Sequence, residues 1–193
     1  MIIALFGATG SGKSVQGQLL AHKHGFTWLS SRELLTALKD KEVNLALRHG
    51  ITVDDEKAMT VLADALREAV AERGEKVILD GFPSSVNQVY WMVENGFTKD
   101  MVCAINLRVP RGELWKRLME RKRVDDTRAA IERRQDLYDR VSTGIMRTLN
   151  MNGVPIREVD GSNEPKDVLA RIEEVLGDYG VVRKKEFAKL TGI

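Results

Sequence analysis

Glycines and a lysine near the N-terminus have the spacing of a loop that holds phosphate groups. Residues 7–14 read Gly-Ala-Thr-Gly-Ser-Gly-Lys-Ser and match the pattern G-x-x-x-x-G-K-[ST] in full. The glycines let backbone N–H groups approach an anion closely, and a helix that begins at the loop directs its positive dipole end there. Lys13 can reach the outer phosphates of a nucleotide, and the Ser14 hydroxyl can bind Mg²⁺. This segment predicts a nucleotide phosphate site.

A carboxylate follows a second apolar segment. Residues 76–83 read Lys-Val-Ile-Leu-Asp-Gly-Phe-Pro, so an apolar run ends at Asp80, and Gly81 and Pro83 terminate it. If the run is a parallel strand, Asp80 lies beside the phosphate loop, where a carboxylate can orient Mg²⁺ through water. The alternative is that Asp80 is a simple turn or cap residue. Its position directly after a predicted strand favours the metal role.

A third group combines arginines with two aspartates. Arg121 and Arg123 precede Asp125 and Asp126, and Arg134 follows on a predicted helix. Taken alone, such a charge run is typical of a solvated helix face, with one aspartate as the helix N-cap. Beside a phosphate loop, the same charge run can instead bind phosphate groups. The transition state of phosphoryl transfer spreads negative charge over oxygens that arginine forks can bind.

Alternating apolar and amphipathic segments predict the elements that position these groups. Strands separated by helices indicate βαβ units and a parallel sheet, with ligands at the carboxyl ends of the strands. The predicted strands cover residues 2–6, 27–29, 77–79, 102–107 and 156–159. The predicted helices cover residues 13–24, 31–39, 54–73, 85–95, 111–121, 126–150 and 165–176.

Length and composition exclude several classes of protein. A chain of 193 residues suits one α/β domain, and the net charge of +2 is spread along the chain, which argues against nucleic acid as a partner. Cys103 is the single cysteine, so no intrachain disulfide forms, and its apolar neighbours predict a buried thiol. No segment has the length of a membrane span, and the N-terminus reads as a core strand. We therefore expect a cytoplasmic protein without membrane partners.

Together the motifs resemble the adenylate kinase and nucleoside monophosphate kinase family. They follow one another in the family's order and cover essentially residues 1–176. The elements Asp80-Gly81-Phe82-Pro83 and Arg123-x-Asp125-Asp126 are specific to this family among phosphate-loop proteins, whereas the loop itself is not. The matching segments are residues 7–14, 29–35, 50–53, 80–83 with Gln88, 123–126 with Ile131 and Arg134, and 159–162.

The resemblance implies an α/β P-loop NTPase fold with a five-stranded parallel sheet and helices on both faces. It implies one kinase domain over residues 1–193, whose core covers 1–29, 61–120 and 127–176. A helical insertion that binds the acceptor monophosphate spans about 30–60, a minimal lid about 121–126, and a C-terminal tail 177–193.

The same resemblance implies a role for individual residues. Donor ATP would be bound by Gly10, Ser11, Gly12, Lys13, Ser14, Val15, Arg121 and Asn163. Acceptor AMP would be bound by Ser31, Arg32, Ile51, Thr52, Val53, Gly81, Ser84, Gln88, Arg123 and Arg134. The catalytic set would be Lys13, Asp80, Arg121, Arg123 and Arg134, with Ser14 and Asp80 holding Mg²⁺ largely through water. Gln88 is the indicator of the base, because its amide can both donate to and accept from an adenine edge.

The implied reaction is reversible phosphoryl transfer from Mg-ATP to AMP, giving two ADP, by a monomer. The lid is too short for a zinc site, and the chain has no cysteine set to build one. Two alternatives remain open at the level of sequence. One is a kinase for another monophosphate, such as UMP, CMP or a deoxynucleotide. The other is a nucleotide-binding regulatory protein with impaired transfer, since a shared fold does not fix function.

Four positions depart from the family pattern. Ser31 replaces a threonine, Arg32 a glycine, and Thr36 and Ser84 replace arginines that grip the acceptor phosphate. A charge-assisted hydrogen bond contributes about 1.5–3 kcal/mol. The loss of two such bonds predicts that AMP binds about 10²- to 10⁴-fold more weakly, unless Arg32 and Lys39 on the same predicted helix compensate.

Overall fold

The computed structural model describes residues 1–121, 123 and 125–182, and the backbone alone at 71 and 72. Part of the predicted lid, at Lys122 and Val124, and the predicted tail from residue 183 onward lie outside the described residues. The strands are β1 (Ile2–Phe6), β2 (Thr27–Ser30), β3 (Val77–Asp80), β4 (Met101–Arg108) and β5 (Ile156–Asp160). The helices are α1 (Lys13–His24), α2 (Ser31–Ala37), α3 (Lys41–His49), α4 (Asp55–Leu66), α5 (Val86–Glu94), α6 (Arg111–Arg121), α7 (Arg128–Met151) and α8 (Pro165–Asp178).

The five strands form one parallel sheet in the order β2-β3-β1-β4-β5, which confirms the predicted fold class. All five residues of the central strand β1 are buried, as its unbroken apolar sequence predicts. In the register of β1 and β3, Leu5 pairs with Asp80. The carboxylate at the end of β3 therefore lies at the edge of the sheet from which the phosphate loop leaves β1.

Helices cover both faces of the sheet with separate apolar layers. On one face, α4, α5 and α7 pack buried residues that include Leu62, Met92 and Leu149 against the strands. On the other face, α1 and α8 supply Leu20 and Ile172 among others. Successive residues of β1 are buried in opposite layers, so the central strand and its loop are held from both sides.

The single cysteine lies inside the second layer. Cys103 is fully buried on β4, as its apolar neighbours predict, and burial raises the pKa of its thiol to about 12. Within the described residues, no helix is both long and apolar enough to cross a bilayer.

The acceptor-side region contains a helix that sequence analysis missed. The predicted helix 31–39 ends at Ala37, and Lys39 adopts a positive φ of 54° outside it. A second helix, α3, then begins at Lys41, because the Asp40 carboxylate accepts hydrogen bonds from the backbone N–H groups of Glu42 and Val43. Lys39 is therefore not on α2 with Arg32, and the prediction that it shares that helix is wrong.

The start of α7 also differs from its prediction. The sequence predicted an N-cap at Asp125 or Asp126, whereas the structure starts the helix at Arg128 and caps it with Thr127, whose hydroxyl accepts from the N–H of Ala130. Arginine side chains bind both aspartate carboxylates, so neither one is available to cap the helix.

Candidate active site

The phosphate loop wraps the N-terminus of α1 in the conformation that its glycines permit. Gly10 has a φ of 89°, and a Cβ there would lie 3.0 Å from Leu118 Cγ, so a larger residue would strain the loop. Lys13 Nζ donates to the backbone oxygens of Gly7 (2.6 Å) and Ala8 (3.1 Å). Desolvation lowers the pKa of this ammonium, although nearby Asp80 acts in the opposite direction. The lysine is thus held at the mouth of the loop with its charge poorly solvated.

Asp80 supplies a carboxylate next to this ammonium. Its side chain is buried, and among the described residues its Oδ2 has no hydrogen-bond partner. A buried carboxylate oxygen without a donor is costly unless water or a cation satisfies it. Ser14, whose hydroxyl belongs to the oxygen ligands that Mg²⁺ accepts, lines the same cleft. The donor set therefore fits a hard divalent cation.

Arginines from α2, α6 and α7 form a connected cluster with two aspartates. Arg121 binds Asp126 through both Nε (2.8 Å) and Nη2 (2.7 Å). Arg134 binds Asp126 (3.2 Å) and Asp125 (2.7 Å). Arg32 of α2 also forms an ion pair with Asp125. Asp125 is therefore shared by α2 and α7, and its arginine neighbours outweigh its desolvation and lower the pKa of its carboxyl.

Arg123 differs from the other cationic groups of this cluster. Its guanidinium forms no hydrogen bond or ion pair with any described residue, although its backbone oxygen accepts from the N–H of Asp126 at 2.9 Å. Desolvation and the neighbouring Arg121 and Arg32 cations lower the pKa of its guanidinium. A positive charge held among like charges is stabilised by an anion, so Arg123 is prepared to bind one.

A cleft of about 590 Å³ joins these groups. It brings together most of the residues predicted for the donor, the metal and the phosphate end of the acceptor. Those that line it are Gly10, Ser11, Gly12, Lys13, Ser14, Val15, Ser31, Arg32, Asp80, Gly81, Arg121, Arg123 and Asn163. Those that do not line it are Ile51, Thr52, Val53, Ser84, Gln88 and Arg134. The open cleft thus ends at the residues predicted to bind the acceptor phosphate and does not extend to those predicted to bind the base.

Arg134 lies behind the two aspartates instead of in the cleft. Its Nη2 donates to the backbone oxygen of Leu47 at 2.7 Å, at the C-terminal end of α3. Gly50 follows that helix with a φ of 68°, and a Cβ there would lie 2.7 Å from the Ala130 backbone oxygen of α7. The insertion is therefore packed directly on α7, and Arg134 ties it to both aspartates.

The sequence analysis did not single out Arg117. Its guanidinium donates to the backbone oxygens of Gly161 and Ser162, at 2.8 Å each, and it lines the cleft. Arg117 and Arg121 are four residues apart on α6 and so share one helix face. The four-residue spacing could have indicated Arg117 as a site residue from the sequence, but its contact with the loop after β5 depends on the tertiary fold.

Comparison with known proteins agrees with this geometry. The model of a family described as AAA domain matches residues 3–138. The adenylate kinase of Micrococcus luteus is 32% identical over 183 residues, which cover 87% of this chain and 86% of the relative. The adenylate kinase of Thermus thermophilus is 29% identical (91% of this chain, 96% of the relative), and that of Parabacteroides distasonis is 28% identical (91% and 97%). The chain therefore belongs to the adenylate kinase family.

Proposed function

We propose that this protein catalyses reversible transfer of the terminal phosphoryl group of ATP to AMP, giving two molecules of ADP. The observation that carries the proposal is the single cleft in which Lys13, Asp80 and Arg123 meet. Phosphoryl transfer needs positioned cations more than covalent chemistry, because charge accumulates on the transferred group. Family membership and relatives named adenylate kinase support the same reaction.

The donor nucleotide is proposed to lie along the phosphate loop and the α6 side of the cleft. Gly10, Ser11, Gly12, Ser14 and Val15 line the start of α1, where N–H groups and the helix dipole favour phosphates. Arg121 would bind the same phosphates from the opposite wall. Asn163, on the exposed loop after β5, would lie against the base, and Arg117 shapes that loop through its two carbonyl contacts.

Ser14 and Asp80 would hold the magnesium ion, largely through water. When bound, Mg²⁺ supplies charge neutralisation across the donor phosphates. The buried Asp80 oxygen without a described partner supports this assignment. Independently of the ion, Lys13 and Arg123 bind and orient the phosphoryl group, and closure of the cleft keeps bulk water away from it.

The acceptor phosphate is proposed to bind among Ser31, Arg32, Gly81 and Arg123, which line the cleft. The acceptor base would lie toward Ile51, Thr52, Val53, Ser84 and Gln88. Arg134 would act on this site by holding the insertion, at about residues 30–60, against the aspartates of the lid, at about 121–126. We further propose that the protein acts as a cytoplasmic monomer.

Turnover with a panel of monophosphates tests this proposal against its rivals. We expect AMP to show the highest kcat/KM when ATP is saturating, measured by coupled detection of ADP. A preference for UMP, CMP or a deoxynucleotide would assign the fold to another monophosphate. ATP binding by calorimetry without transfer to any monophosphate would favour a regulatory protein instead.

Replacement of Arg32 tests how the acceptor phosphate is held. Arg32 lines the cleft, whereas Ser84, at the position of a family arginine, directs its N–H and hydroxyl to Gln88. We therefore expect Arg32→Ala to raise the KM for AMP by about ten- to a hundredfold, the equivalent of one charge-assisted hydrogen bond. The KM for ATP should change little in steady-state kinetics.

Arg48→Ala is the matched control, because Arg48 is an exposed arginine of the same insertion and lies outside the cleft. It should leave both KM values near those of the wild type. A weak wild-type KM for AMP that Ser84→Arg improves, together with no effect of Arg32→Ala, would show that the phosphate grip is missing and not relocated.

A further inference from the structure

The side-chain amide of Gln88 is enclosed in a hydrogen-bond network at the start of α5. Gln88 is 1% exposed. Its Nε2 donates to Asp55 Oδ1 at 2.6 Å, and its Oε1 accepts from the backbone N–H of Ser84 at 2.6 Å and from the Ser84 hydroxyl at 3.1 Å. The other Asp55 oxygen accepts from the Ser85 hydroxyl at 2.7 Å. Asp55, the first residue of α4, is thereby joined to α5 at two points.

The chemistry of these partners fixes which way the amide points. An ionised carboxylate only accepts hydrogen bonds, so the nitrogen of the amide must face Asp55. A backbone N–H only donates, so the oxygen must face Ser84. Rotation of the amide by 180° would set two acceptors together at Asp55 and two donors together at Ser84. The orientation therefore follows from donor and acceptor chemistry and not from the placement of atoms alone.

Among the described residues, this arrangement leaves one N–H of Gln88 without a partner and so available to a ligand. Both lone pairs of Oε1 are used by Ser84, and one of the two Nε2 hydrogens is used by Asp55. The remaining N–H can pair only with an acceptor. Adenine offers a lone pair at N1, whereas guanine at N1 and uracil at N3 carry a hydrogen and would oppose it. Two N–H donors that face each other in a desolvated site lower the affinity for the base.

We propose that Asp55 is a positioning residue that sets the base specificity of the acceptor site. It holds the Gln88 amide so that a single N–H faces the base and selects a ring nitrogen with a lone pair. The inference rests on the proposed function, in which Gln88 meets the acceptor base. A second contact anchors Asp55, because its other oxygen accepts from Ser85 at the N-terminus of the same helix as Gln88.

The Ser84 departure from the family pattern takes part in the same arrangement. Its short side chain adds a second donor to Gln88 Oε1, beside the backbone N–H. A residue that replaces a phosphate-binding arginine therefore contributes to the orientation of the base-reading amide. Arg32 would then bind the acceptor phosphate, whereas Asp55 and Ser84 would orient the amide that reads the base.

The test compares Asp55→Ala, Asp55→Asn and the control Asp54→Asn by steady-state kinetics. Asp54 is the neighbouring N-cap of α4 and is exposed, and among the described residues its side chain accepts a hydrogen bond from the N–H of Lys57 alone. Asp54→Asn should therefore preserve the cap without touching Gln88. We expect Asp55→Ala to raise the KM for AMP by about tenfold, with a smaller change in kcat. The ratio of kcat/KM for AMP over GMP and over UMP should fall by about the same factor.

Asparagine at position 55 should restore part of this discrimination, because its Oδ1 can accept from Gln88 and its amide can donate to the Ser85 hydroxyl. Thermal unfolding checks each variant, and Asp55→Ser replaces Asp55→Ala if the alanine variant does not fold. A lower KM for AMP in Asp55→Ala would mean that Asp55 competes with the base, which overturns the proposal. Unchanged discrimination overturns it as well.

The wild-type panel separates this result from failure of the proposed function. A wild type that does not use AMP refutes both proposals. A wild type that uses AMP, with an Asp55→Ala variant of equal specificity, refutes the positioning role alone.

Discussion

Replacement of Lys13 by alanine is expected to lower turnover by more than a hundredfold while the protein stays folded. Among the described residues, the ammonium donates hydrogen bonds to the backbone oxygens of Gly7 and Ala8 alone, and desolvation lowers its pKa. Its hydrogen bonds to described residues thus lie within the phosphate loop, and its nearest opposite charge is the Asp80 carboxylate of the same site. In phosphoryl transfer a preorganised charge of this kind lowers the barrier by about 2.7–4 kcal/mol. Coupled assays with ATP and AMP, combined with thermal unfolding, measure both expectations.

Lys23→Ala is the matched control for this experiment. Lys23 lies on the same helix, outside the cleft, in an ion pair with Glu173. Its removal should leave turnover near the wild-type value. If Lys13→Ala keeps more than about a tenth of wild-type turnover, the transition-state role of the lysine is wrong.

Replacement of Arg123 by alanine is expected to reduce turnover by about a hundredfold or more, on the same electrostatic scale. The Arg123 side chain lines the cleft without a hydrogen bond or ion pair to any described residue. Its removal should therefore take away a proposed phosphate ligand and leave the contacts among the described residues in place. Turnover should fall while the melting temperature stays near that of the wild type. Single-turnover kinetics with saturating nucleotides would place the loss in the chemical step.

Arg134→Ala should lower turnover by a similar factor for a different reason. Its contacts with Asp125, Asp126 and Leu47 hold the insertion against α7, so this variant should also melt at a lower temperature. Arg128→Ala and His22→Ala serve as controls, because neither residue lines the cleft. Equally small effects of Arg123→Ala, Arg134→Ala and the controls would mean that the cluster is only a solvated face.

The parts of the molecule that sequence predicted are those governed by local pattern. The β1 strand, the phosphate loop and Asp80 follow from apolar runs and glycine spacing, and the parallel sheet follows from their alternation with helices. Helix α3 was missed because a strong cap at Asp40 interrupts what reads as one polar segment. The N-cap of α7 was misplaced because Asp125 and Asp126 find arginine partners, which local propensity does not contain.

The site residues likewise divide into those that local pattern predicts and those that depend on tertiary packing. Lys13 and Arg123 lie in the cleft where the motifs place them. The burial of Gln88 against Asp55 joins residues 33 positions apart, and the contact of Arg134 with Leu47 joins residues 87 positions apart. Such pairings depend on how α4 and α7 pack. They were therefore beyond a reading of spacing along one segment.

On the proposed function, the shared carboxylate of Asp125 would link the binding of the two nucleotides thermodynamically. A phosphate that draws Arg32 away from Asp125 leaves that carboxylate to Arg134, which also holds Asp126, the partner of Arg121 on the donor side. The affinity of one nucleotide would thus depend on whether the other is bound. Linkage requires this dependence to be reciprocal, so donor and acceptor change each other's binding by the same factor.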